Sequence, residues 1–92
     1  MKSLITAAVA VGAVTAVAFP ALAAPTCTTE PKSRWMNEAM MKDHVAALGY
    51  KDIRSFRTSG SCYEIYGFTS DGRRAEVYFN PVTGDAVQAK EG

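Results

Sequence analysis

Soft metal ligands are scarce in this chain: one histidine, His44, and two cysteines, Cys27 and Cys62, among 92 residues. A structural zinc site takes four nitrogen or sulfur ligands, and a redox dithiol needs the close C-x-x-C spacing. Neither is available. No phosphate-cradling glycine loop is present, because Ser59-Gly60-Ser61 is only long enough to turn the chain. Charge of one sign is not in excess either, with ten Lys+Arg against nine Asp+Glu and a net charge of +1. Arg54, Arg57, Arg73 and Arg74 make at most a modest basic strip. A near-neutral chain has no long-range field to draw nucleic acid or an anionic membrane surface, so neither is an expected partner.

What is present begins with a leader. Met1-Lys2-Ser3 is a short basic start, Leu4 to Phe19 is apolar and rich in small residues, and Pro20 is followed by Ala21-Leu22-Ala23. That order is an n-region, an h-region and an A-x-A cleavage site. Residues 1–23 are therefore expected to be a cleaved secretory signal rather than a retained membrane anchor. A lipoprotein anchor is not expected, since Cys27 lies four residues beyond Ala23. Losing Lys2 leaves nine cationic and nine anionic residues in Ala24–Gly92. The product is expected in the periplasm or outside the cell.

A domain this small buries only about 60% of its unfolded surface and is marginal unaided. The two cysteines are the expected help. An even count in an oxidising compartment implies a Cys27–Cys62 disulfide. Its loop of about 36 residues is worth ~3–4 kcal/mol in chain entropy.

Residues 24–36 carry Pro25, Pro31 and no period, and are expected to form an extended arm pinned at Cys27. Residues 37–92 form the domain. Asn37 is a good N-cap for a helix over 37–48, Glu38 suits the positive end of its dipole, and Met36 can staple onto Met41. Met41, Val45 and Leu48, with Met40, His44 and Ala47 alongside, make one apolar stripe. Gly49 stops the helix.

Beyond it the period becomes two. Strands are expected at Ile53–Thr58, Cys62–Thr69 and Arg73–Phe79, with a short fourth at Asp85–Gln88. Asp71-Gly72 is a hairpin signal and Pro81 belongs in a turn. Ile53 and Phe56 fall on opposite faces unless a bulge intervenes. Tyr63, Ile65 and Gly67 match Ala75, Val77 and Phe79 on an apolar face that takes the helix. The fold class is α+β: one α-helix on a three- to four-stranded antiparallel meander.

The opposite face carries Cys62, Glu64, Tyr66 and Phe68 beside Arg74, Glu76 and Tyr78. Two readings stand. The aromatics, with Arg74 and Trp35, form a contact site for a partner. Alternatively, the disulfide draws the arm across them and Trp35 lies on Tyr66 or Tyr78. Glu64 and Glu76 beside Arg74 read as solvated charges, since a single small sheet offers no cleft for an acid–base pair. His44 reads as an edge-of-core residue, which leaves no Ser-His-Asp arrangement. No catalytic residue, metal or cofactor is expected.

One run of motifs carries a resemblance. A helix closing on Gly49-Tyr50, the strand Cys62-Tyr63-Glu64-Ile65-Tyr66, the hairpin Asp71-Gly72-Arg73-Arg74 and the segment Glu76-Val77-Tyr78-Phe79-Asn80-Pro81-Val82-Thr83-Gly84 together resemble the PepSY domain family. The likeness spans about Asn37–Val87. The arm with Cys27 and Cys62 resembles small stand-alone exported members. Asn80 and Asp85 stand where Asp and Glu are usual, and both keep turn chemistry. The resemblance implies a non-catalytic binding module, akin to units in the propeptides of thermolysin-type metalloproteases, that restrains a peptidase in the bacterial envelope or binds another protein there. The alternative is a small structural or envelope-stress protein with no defined ligand.

Overall fold

The computed structural model describes residues 24–92; the cleaved signal expected over 1–23 lies outside the described residues. A 3₁₀ turn at Lys32–Arg34 precedes helix α1 (Glu38–Ala47) and strands β1 (Lys51–Ser59), β2 (Cys62–Phe68), β3 (Arg74–Phe79) and β4 (Ala86–Glu91). The strands pair in chain order as one antiparallel meander, with the helix on one face.

Local chemistry sets the helix bounds. The Asn37 side chain accepts the Met40 N–H at 2.8 Å, which satisfies a donor the helix cannot. The last turn closes on Gly49, at φ +100. Met41 and Val45 are fully buried, while Met40 and Leu48 are more than half exposed. The apolar stripe is therefore narrower than its spacing suggested: one short helix crosses one sheet and presses only its central line inward. Glu38 and Lys42 form an exposed i,i+4 pair at 2.9 Å, worth a few tenths of a kcal/mol at most, about 0.3–0.5.

Met41 and Val45 pack on Tyr63, Ile65, Ala75, Val77 and Phe79, with Trp35, Met36, Tyr50 and Phe56 closing the margins. These sheet residues are the alternating set read from the sequence. The irregularity expected in β1 is present. Register shifts between Lys51 and Ser55, and Asp52 there takes φ 55. The bulge brings Ile53 and Phe56 to the same side. Ile53 lies over Gly67, where an added Cβ would sit 2.7 Å from Cδ1 of Ile53 and 3.0 Å from the Lys51 carbonyl oxygen. Gly67 thus lets β1 and β2 close.

The β3–β4 connection is tied on three sides. Asn80 Oδ1 accepts from Val82 N–H at 2.8 Å and from Thr83 N–H at 3.2 Å, an Asx turn. His44 Nε2 donates to the Gly84 carbonyl at 2.7 Å, linking helix to turn. The buried Pro81 carbonyl accepts the Met36 N–H at 2.8 Å. β4 begins later and runs further than the expected Asp85–Gln88, because Asp85 closes the turn through its carbonyl to Asn80 N–H.

Candidate binding face

The arm divides its length between the two sides of the sheet. Its first residues cross the face away from the helix. Cys27 is bonded to Cys62 with their Cα atoms 5.1 Å apart, and Cys27 N–H donates to Ser61 Oγ at 2.8 Å. Ala24, Cys27, Cys62 and Tyr78 form a small second cluster. The 3₁₀ turn then redirects the chain around the end of the sheet. Trp35 emerges on the helix side, edge-on to Tyr63 with ring centroids 5.3 Å apart. Its indole N–H donates to the Glu30 carbonyl at 3.2 Å, and the Tyr63 hydroxyl donates to the Met36 carbonyl at 2.7 Å.

The expected placement of Trp35 on Tyr66 or Tyr78 is therefore corrected. The bond from Met36 to Pro81 commits the chain to the helix side before a tryptophan at 35 can reach back. Of the remaining residues expected on the open face, Tyr78 is buried under the arm. Phe68 is half-buried, with the Arg54 guanidinium 5.3 Å above its ring. Tyr66 is 45% exposed, and Arg74 is exposed.

A second correction concerns the carboxylates. Glu64 is not solvated: it is 2% exposed and its Oε1 accepts from Arg57 Nε at 2.9 Å. The partner is Arg57, brought opposite Glu64 by the β1–β2 register, and not Arg74. Oε2 of Glu64 is buried with no hydrogen-bond partner, beside the Glu76 carboxyl and the Tyr78 hydroxyl. Burial works to raise the Glu64 pKa, but hydrogen bonding from Glu76, then the Arg57 bond and charge, bring it below the ordinary range. Glu76 moves the opposite way, raised by hydrogen bonding with Glu64, then by burial and the Glu64 charge. Burial also raises the Tyr78 phenol, and the two carboxylates reinforce this. The sequence held one signal for the burial of Glu64: Cys62, on the same face two residues before it, has to hold the arm close by.

Toward the other end of this face lies an open groove. Tyr66, Arg74, Glu76 and Lys90 line it. Tyr66, Glu76 and Lys90 stand in one row across β2, β3 and β4. The groove crosses from β2 over β3 to Lys90 and Glu91 at the C-terminal end of β4, an edge strand exposed at every residue. Among the described residues no group of three or more His, Cys, Asp or Glu is placed to hold a metal ion, and no helix is long and apolar enough to cross a membrane.

No curated protein and no solved structure matches the chain. A family model described as peptidase propeptide and YPEB domain does, over residues 4–90 of the 92. The meander, the Asp-Gly hairpin and the Asn-Pro turn sit where that likeness predicted them, and the chain belongs to the PepSY family of peptidase propeptide and YPEB domains.

Proposed function

We propose that the protein is an exported, non-catalytic binding module that restrains a peptidase, or engages another protein, in the bacterial envelope. The observation that carries this reading is Tyr66. An aromatic ring 45% exposed on a sheet face, two strands in from the open edge at β4, is a surface a partner can cover. β4 offers unpaired backbone groups along its outer edge, and its short residues Ala86, Val87 and Ala89 leave them accessible. The bulge and charges of β1 protect the opposite edge. Family membership supports a role alongside peptidases. The disulfide between Cys27 and Cys62 supports an oxidising compartment. Glu64 is buried and held by Arg57, which favours an internal charge cluster over an acid–base site.

A second reading is favoured by the arm itself. It covers Tyr78 and so removes part of the aromatic face, as a structural or stress protein without a ligand would require. The two readings separate by co-purification of tagged wild-type protein, Tyr66→Ala and Val87→Lys from the envelope. The binding module predicts a discrete partner that both variants weaken and whose peptidase activity the wild-type protein lowers. A set of co-purifying proteins unchanged by either substitution supports the structural reading.

A further inference from the structure

We infer that the open end of this sheet face is where two copies of the chain meet, face to face, about a two-fold axis that crosses the strands between the Tyr66 and Phe68 rows. The inference goes beyond the binding-module reading: it names what covers Tyr66 when no partner is bound. The charges carry it. The groove lining balances two cations, Arg74 and Lys90, against two carboxylates, Glu76 and Glu91. The net charge of the chain is only +1, and zero without Lys2. A surface with both signs in equal number, on a chain with no net charge to keep copies apart, is suited to meeting itself.

Register makes the match specific. Along β3, Arg74 and Glu76 are successive residues of this face. On β2, Phe68 stands opposite Arg74 and Tyr66 opposite Glu76. A two-fold rotation about an axis perpendicular to the strands lays β3 over β3 and β2 over β2 with their directions reversed. The Arg74 row of one copy then falls on the Glu76 row of the other. Both Arg74 guanidinium groups meet a Glu76 carboxylate. Each Tyr66 ring falls on Phe68 of the second copy, where the Arg54 guanidinium lies 5.3 Å above the ring and can stack between the two aromatics. Lys90, opposite Glu76 in register, flanks the same carboxylate from β4. Stacked sheets keep their strands within about 30° of each other, so pairs next to the axis survive the twist.

Shape agrees with charge. Ala24 to Cys27 thicken the other end of the face, over Tyr78. The rotation carries the two arms to opposite ends of the pair, so neither stands between the open ends. Tyr66 and Arg74 are already at the surface. The patch is smaller than a standard interface, which buries about 1,600 Å², and the expected dissociation constant is about 10–100 µM.

The test is sedimentation velocity of the protein recovered from cells with its disulfide intact, over about 2–500 µM. Wild-type protein should pass from monomer to dimer across that range. Tyr66→Ala should weaken the dimer at least about tenfold. Arg74→Glu and Glu76→Arg should each stay monomeric, because each sets like charges opposite one another. An equimolar mixture of those two variants should restore the dimer, since every facing pair then joins opposite charges, a gain that misfolding cannot mimic. Protein monomeric at every concentration, a dimer that Arg74→Glu leaves intact, or a mixture no more associated than its components overturns the inference. A dimer lost on Val87→Lys but kept in Arg74→Glu pairs through the β4 edge and refutes the face-to-face contact. If the envelope partner is lost on Tyr66→Ala while the wild-type protein is monomeric throughout, the binding module stands and the dimer fails.

Discussion

Breaking the Cys27–Cys62 bond is predicted to remove most of the domain's stability. The bonded residues are 35 apart in sequence. Closing a loop of that length removes roughly 13 cal/mol/K from the unfolded ensemble, or about 4 kcal/mol at room temperature. A domain of this size is expected to have only about 3–10 kcal/mol in all. The loss is therefore between two fifths and the whole of the stability. Packing adds to it locally, because Cys62 is fully buried and Cys27 nearly so. The assay is urea unfolding followed by fluorescence of Trp35, the sole tryptophan, whose contact with Tyr63 is lost on unfolding. With a slope of about 1 kcal/mol/M for a small domain, reduction should lower the midpoint by about 3–4 M or leave no folded baseline. Cys27→Ala with Cys62→Ala should behave as the chemically reduced protein does. A reduced midpoint within about 1 M of the oxidised one would refute the claim that this crosslink compensates for a small core.

Three further outcomes follow from the same coordinates. Gly84→Ala should destabilise by about 1–3 kcal/mol, seen as a lower Tm in calorimetry. Gly84 has φ +83, and an added Cβ would stand 2.7 Å from His44 Nε2, against the hydrogen bond that ties helix to turn. Met41→Ala should cost about 2–5 kcal/mol in urea midpoints through the cavity left under the helix, whereas Met41→Leu, which keeps the volume, should cost less than about 1.5 kcal/mol. Glu76→Gln should raise stability at neutral pH and flatten its pH dependence. The raised Glu76 pKa contributes stability that is complete below the unfolded value, about 4.3, and lost as pH rises through the higher folded value; the amide keeps a donor for Glu64 without the charge. The lowered Glu64 pKa works in the opposite direction, its contribution being present above the unfolded value and lost as pH falls through the folded one. Urea midpoints between about pH 3 and 8 separate the two, since only the acid-side loss should survive in Glu76→Gln.

Much of this architecture was legible because the period of hydrophobicity changes where the structure does. Helical spacing stops at Gly49, alternation begins after it, and Tyr63, Ile65, Ala75, Val77 and Phe79 mark the inner face without ambiguity. The turns were legible for a different reason: Asp71-Gly72 and Asn80-Pro81 carry their own backbone preferences. The width of the helix stripe was not. Leu48 and Met40 have the right spacing, but how many of a helix's apolar residues a sheet covers depends on the sheet's breadth and on what else occupies it. Trp35, Met36 and Tyr50 take the margins that Leu48 and Met40 would have needed.

The binding face shows where sequence parity stops being informative. Parity assigns Glu64, Tyr66, Phe68, Arg74, Glu76 and Tyr78 to one side correctly, but it says nothing about which of them remains in water. That is decided by two features remote in sequence. The bulge between Lys51 and Ser55 fixes which β1 residue stands opposite Glu64, and so supplies Arg57. The arm's route is fixed by Met36 N–H meeting the Pro81 carbonyl, which sends Trp35 to the helix side and leaves only Ala24 to Cys27 for the open face. A shorter cover means a divided face. One end is closed over Tyr78 and Glu64, with the carboxylate neutralised by Arg57. The other end is left open at Tyr66, beside Arg74, Glu76 and Lys90. The asymmetry follows from the arm's route: Ala24 to Cys27 lie against the end at Tyr78, and the chain then leaves this face for the helix side.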